Sequence, residues 1–167
     1  MPMAQIVLAR VDSRLLHAQV LTSWVQQSGA DRIVIADDGI AADPFLMKLF
    51  EMSAPPRVAL SILNVNDTVA FLKEHEGRVL ILFKNLLMLR AAIKAKMPLT
   101  EVQIAGLGAK ADSVQVFHTV HITQAEAEML MHYHTTRNLN VYFQAEPQEN
   151  AVPLHTVVAT YFPELIK

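Results

Sequence analysis

Apolar and polar positions along the chain follow two alternating rhythms. Short, largely apolar runs fall at residues 5–9, 32–36, 58–63, 78–83, 101–105, 117–122 and 140–144, and predict strands. Between most of them the apolar residues recur every three or four positions, which predicts helices over 16–27, 44–52, 86–95, 123–137 and 155–162. The punctuation agrees with this reading. Ser28-Gly29 ends the first helix, and Asp37-Asp38-Gly39 closes the second strand. Asp43 caps a helix with Pro44 in its first position, and Pro55-Pro56 stops that helix. Phe45, Leu46, Leu49, Phe50 and Met52 form its apolar side. Asn66 or Asp67 caps a helix that runs through Lys73, and Thr123 with Glu126 three residues later reads as a capping box. Residues 109–116 and 147–153 read as loops, and 78–83, almost wholly apolar, reads as a central strand.

This βαβα order, with crossovers too short to hold a second domain, predicts an α/β fold. It is a three-layer α/β/α sandwich with a mostly parallel central sheet. At 167 residues, 52% hydrophobic and 18% charged, one domain spanning 1–167 with a large core is expected. A net charge of -2 without a basic run argues against nucleic acid as a partner. The absence of cysteine excludes thiolate chemistry. No apolar run approaches the roughly 20 residues of a membrane span, and the first five residues do not read as a signal peptide, so a cytoplasmic protein is expected.

The chemistry gathers where the first strand gives way to the first helix. Arg10, Asp12, Ser13 and Arg14 arrive within five residues, and His17 follows three after Arg14. That is the carboxyl edge of the sheet and a helix amino terminus, two places that favour an anionic ligand. Two arginines beside a histidine there suggest phosphate chemistry carried by the histidine. The reference histidine pKa of about 6.5 leaves a neutral ring nitrogen available as a nucleophile near pH 7. Arg14 is the expected phosphate clamp, because its fork matches two phosphoryl oxygens and keeps its charge. Arg10 acts likewise or holds Asp12. Asp12 fixes the His17 tautomer or caps the helix.

The motif Arg10-x-Asp12-x-Arg14-Leu15-Leu16-His17-x-Gln19-Val20 resembles the active-site signature of the IIB components of the mannose/fructose/sorbose family of the bacterial phosphoenolpyruvate:sugar phosphotransferase system. Trp24, the run 31–38, Ala54-Pro55-Pro56 and the run 79–85 extend the resemblance over residues 4–166. It implies the same α/β/α fold and a protein-Nπ-phosphohistidine–sugar phosphotransferase with His17 and Arg14 catalytic and Arg10, Asp12 and Arg14 binding phosphate. A IIA partner donates the phosphoryl group to His17. His17 passes it to a sugar held by the membrane IIC/IID partners, which bring the protein to the inner face of the membrane. No metal or organic cofactor is implied, and a homo-oligomer is left open. Two positions depart from the family: Ala18 where glycine is usual, and Ala105-Gly106-Leu107 where Gly-Gly-Met is common. Helical spacing begins at Ala18, so an ordinary helical backbone is expected there.

Other polar residues share this edge. Asp37 and Asp38 either restrain an arginine or are solvated turn residues, Lys84 and Asn85 border the phosphate, and Gly106 and Gly108 allow close backbone approach to a ligand. His118 and His121 point to opposite faces of a strand, and His132 and His134 do not share a helix face, so no zinc set is expected. A non-catalytic module binding phosphorylated ligands through the same arginines is the alternative. A hydrolase lacks a visible nucleophile elbow.

Overall fold

The computed structural model describes residues 3–167, without the side chains of residues 18–20. The chain forms β1 (Gln5–Asp12), α1 (Ala18–Ser28), β2 (Arg32–Ala36), α2 (Asp38–Ala41), α3 (Pro44–Met52), β3 (Ala59–Leu63), α4 (Val65–Glu74), β4 (Arg78–Phe83) and α5 (Leu86–Lys94). It continues through β5 (Glu101–Gly106), β6 (Val114–Phe117), β7 (Val120–Ile122), α6 (Gln124–Arg137), β8 (Asn140–Phe143), β9 (Val152–Pro153) and α7 (Leu154–Tyr161), and a 3₁₀ turn ends it. Among the described residues seven strands form one sheet in the order β3-β2-β4-β1-β5-β8-β9. Its pairs are parallel except the last. The expected α/β fold with a mostly parallel sheet is the observed one.

Strand alternation divides the apolar residues between two cores. Ala9, Val11, Val34, Ile81, Phe83, Val102, Ile104 and Phe143 face α4, α5, α6 and α7. Leu8, Ile33, Ile35, Leu80 and Leu82 face α1, α2 and α3 through Leu21, Trp24, Ile40 and Phe50. Where the caps were read from sequence, most stand. Gly29 ends α1 with φ 71, Asp43 accepts from the backbone N–H of Phe45 and Leu46, and Thr123 and Glu126 form the reciprocal box at α6.

Five local expectations are corrected. β1 runs three residues past Ala9, because Arg10 and Asp12 are buried with partners and Val11 keeps the alternation. α1 starts two residues later than expected, after a turn in which Leu15 takes a left-handed φ of 51. Asn64, not Asn66 or Asp67, caps α4, its side chain accepting from the Asp67 N–H at 2.7 Å. Residues 114–122 make a hairpin of β6 and β7 rather than one strand after a loop. The loop at 147–153 contributes the short edge strand β9.

β1 lies between β4 and β5. From β1 the chain crosses through α1 toward β2 on one side, and from β5 it crosses through α6 toward β8 on the other. The carboxyl ends of β1 and β5 therefore flank the switch point of the sheet, where open α/β folds bind ligands. Asp12 and Gly106, the last residues of the two strands, are paired there.

Candidate functional site

Arg10 and Asp12 are two apart on β1, so their side chains share one face of the sheet. They meet at 3.2 Å between Arg10 Nη2 and Asp12 Oδ2. Arg14 returns to the same carboxylate. Its backbone N–H and its Nε donate to Oδ1 at 3.0 and 2.9 Å, and its Nη2 donates to Oδ2 at 2.9 Å. Asp12, 1% exposed, thus joins a buried guanidinium to a partly exposed one. Two guanidiniums against one carboxylate leave a single net positive charge. Hydrogen bonding to Asp12 raises the Arg14 pKa. Burial lowers that of Arg10, with Asp12 opposing the effect. Among the described residues the Asp12 carboxylate accepts from the two arginines, and it orients them.

Arg10 is 2% exposed and enclosed on every side. Its Nη1 donates to Gln103 Oε1 and to the Ala145 carbonyl at 3.1 Å, and its guanidinium lies 5.7 Å from the Trp24 ring centre. Trp24 Nε1 donates to the same carbonyl at 2.8 Å. Beneath Arg10, Gln103 Nε2 donates to Gln144 Oε1 at 3.3 Å, and Gln144 Nε2 donates to the Glu149 carbonyl at 2.9 Å. Tyr142, opposite Gln103 in the sheet register, has its phenol pushed up to about 12, first by burial and then by Glu101. Arg14 is 37% exposed, and among the described residues its Nη1 has no partner. It is therefore the arginine of this pair that can meet a ligand.

His17 is exposed and occupies the N-cap position of α1, with φ -85 and ψ 88. Its N–H donates to the Leu15 carbonyl at 2.8 Å, while the Leu15 N–H donates to the Asp12 carbonyl at 2.9 Å. This tight turn carries the chain from the end of β1 to the helix start. The first turn of α1 contains no acidic residue, so its dipole is unopposed for an anion. Ala18 is the first residue of α1, so it lies in the first turn of the helix as expected. A cleft lined by Leu16, Ser53, Ala54, Pro55 and Pro56 borders this turn.

The remaining candidates separate from the cluster. Asp37 is buried and accepts from the Ile40 N–H at 2.8 Å, and Asp38 accepts from the Val65 N–H at 2.9 Å. Both organise backbone rather than restraining an arginine, and Asp37 is not solvated. Asn85 caps α5 through the Met88 N–H, and Lys84 is exposed. Gly106 makes room for protein rather than for a ligand: a Cβ there would stand 2.6 Å from Asp12 Oδ1. Gly108 has nothing within 4 Å of such a Cβ. His118 lies in the turn of the β6–β7 hairpin, 2.6 Å from Glu149 Oε2, and His121 and His134 meet backbone carbonyls through Nδ1. Sequence reading missed Gln103, Gln144 and the Ala145 carbonyl. A glutamine between the apolar Val102 and Ile104 was the available signal.

The family model described as the sorbose-subfamily IIB component of the phosphotransferase system matches residues 6–161. The sorbose-specific EIIB component of Lacticaseibacillus casei is 33% identical over 120 residues, covering 70% of this chain and 73% of that one. The mannose-specific EIIAB component of Escherichia coli K12 is 29% identical over 126 residues, covering 74% of this chain and 39% of that longer one. The crystal structure of manxB from Thermoanaerobacter tengcongensis superposes with a TM-score of 0.91 at 32% identity, covering 98% of this chain and 100% of that one. Fold, extent of match and identity agree: this chain belongs to the sorbose-subfamily IIB components of the phosphotransferase system.

Proposed function

We propose that this IIB component carries its phosphoryl group on His17, with Arg14 as the clamp. The observation that supports this most directly is the two-point hold of Asp12 on Arg14, which leaves Nη1 without a partner among the described residues, three residues before an exposed histidine at a helix start. Phosphoryl transfer is governed by positioning and by stabilising charge on the equatorial oxygens. A guanidinium fixed before the reaction supplies both. A His17 ring nitrogen attacks phosphorus as the P–N bond of the donor histidine breaks. The P–N bond formed on His17 breaks in turn when a sugar hydroxyl takes the group. Arg10 supports Asp12 rather than meeting phosphate, since burial and its partners enclose it.

In this reading the donor is a phosphorylated IIA partner. The E. coli relative named EIIAB supports that pairing, because a IIA part and a IIB part are named together in one chain. The acceptor is a sugar held by membrane IIC/IID partners. Among the described residues no helix is long and apolar enough to cross a membrane, so attachment to the inner face would come through those partners. The 167 residues act as one IIB domain.

The test is incubation with the general phosphotransferase proteins, the cognate IIA and labelled phosphoenolpyruvate. One acid-labile, base-stable phosphate is expected on the protein and none on His17→Ala, with an unchanged circular-dichroism spectrum. A full phosphate on the alanine variant by intact mass overturns the assignment.

A further inference from the structure

We propose that Gln103 is a positioning residue for phosphoryl transfer, acting through Arg10 and Asp12 on the clamp Arg14; the proposal rests on the reading of His17 and Arg14 given above. Gln103 is fully buried in the middle of β5, 93 residues from Arg10 in sequence. Its amide is held at both ends. Oε1 accepts from Arg10 Nη1, and Nε2 donates to Gln144, the residue that follows the neighbouring strand β8. Gln144 is anchored in turn on the Glu149 carbonyl of the following loop. The contacts therefore run unbroken from the β8–β9 loop through Gln144, Gln103, Arg10 and Asp12 to Arg14.

The chemistry of each link explains the choice of side chain. Arg10 Nη1 has two acceptors, Gln103 Oε1 and the Ala145 carbonyl, while Nη2 faces Asp12. Without Gln103 the guanidinium is free to turn toward Ala145 and away from Asp12. Oδ2 of Asp12 would then keep only Arg14, and the carboxylate could rotate with it. A glutamine holds Arg10 without adding charge, so the guanidinium's charge remains with Asp12. A glutamate at 103 would share it. Phosphoryl transfer reads such looseness as rate, since about 1 Å of misplacement at a reacting group costs on the order of a hundredfold.

The experiment is a double-mutant cycle on transfer from phosphorylated IIA, using wild type, Gln103→Leu, Arg14→Ala and the double variant. Each is checked for folding by circular dichroism. Gln103→Leu is expected to lower the maximal rate about tenfold, with the KM for phosphorylated IIA unchanged, because the donor docks on a surface that Gln103 does not reach. The double variant is expected to be no slower than Arg14→Ala. A general loosening of the fold would instead slow the Arg14→Ala background as well. Gln103→Asn, which keeps the amide but not the reach, is the companion should the leucine variant fold poorly; a several-fold fall of the same kind is expected. A rate within about twofold of wild type, or a fall that persists undiminished without Arg14, overturns the positioning role. Failure of the wild type to accept any phosphate would overturn the His17 reading instead.

Discussion

At Gly106 the space of one methyl group decides the geometry of the site. A Cβ there would stand 2.6 Å from Asp12 Oδ1 and 3.3 Å from Arg14 Nη2, so the carboxylate and its guanidinium must shift together. Gly106→Ala should lower stability by about 1–3 kcal/mol, as overpacking does, and should slow phosphoryl transfer as well. Gly108→Ala is the control, since nothing lies within 4 Å of its added carbon. Denaturant midpoints and transfer rates for the two variants check this; equal behaviour would show that Asp12 can relax freely. The residue scale is also where sequence reading was weakest. Asp12, Asp37 and Asp38 all lie at the carboxyl ends of apolar runs, and the apolar pattern alone does not distinguish their roles. What separates them is the partner each one meets. Asp12 is held with Arg10 by Gln103 from β5 and Ala145 beyond β8, whereas Asp37 and Asp38 meet the backbone N–H groups of Ile40 and Val65.

Among the elements, the turn between β1 and α1 stores strain beside His17. Leu15 holds a left-handed φ of 51, a conformation that costs a side-chain-bearing residue roughly 1–2 kcal/mol. Its side chain is 2% exposed and packs in the core beneath α1, α2 and α3, which offsets that cost. Removing a buried leucine side chain costs about 2–5 kcal/mol. Burial should therefore win over strain, and Leu15→Gly should be less stable than wild type by about 1–3 kcal/mol. A rise in the denaturant midpoint would show that strain dominates. The apolar pattern located most elements because capping is local: Asp43, Thr123 and Glu126 act within three residues of themselves. It placed the end of β1 too early because a buried arginine and aspartate look polar in sequence, while their partners come from β5 and the loop after β8. On α3 the apolar stripe over-predicted burial. Leu46 and Phe50 pack inward, while Phe45 is 71% and Met52 76% exposed.

For the molecule as a whole, strand and helix order was sufficient for the parallel sheet, because crossovers of this length permit little else. The polar layer under the site was hidden, because it is assembled from β1, β5 and β8, which only the sheet brings side by side. That layer predicts an alkaline response. Tyr142 stands opposite Gln103, and burial together with the Glu101 charge pushes its phenol up to about 12 from an ordinary 10.0, against the opposing influence of Arg10 and Gln103. The phenol thus holds its proton more tightly in the folded chain than in the unfolded one. Below pH about 10 both states are protonated and the group contributes no pH dependence. As pH rises toward about 12 the unfolded chain loses the proton first, so stability falls through this window and levels off above it. Of the three tyrosines, Tyr142 should ionise near pH 12 in a tyrosinate absorbance titration of the native protein. Tyr142→Phe should remove that step and flatten the fall in stability between pH about 10 and 12. If the phenylalanine variant loses stability over that window as steeply as wild type, the buried phenol is not the group responsible.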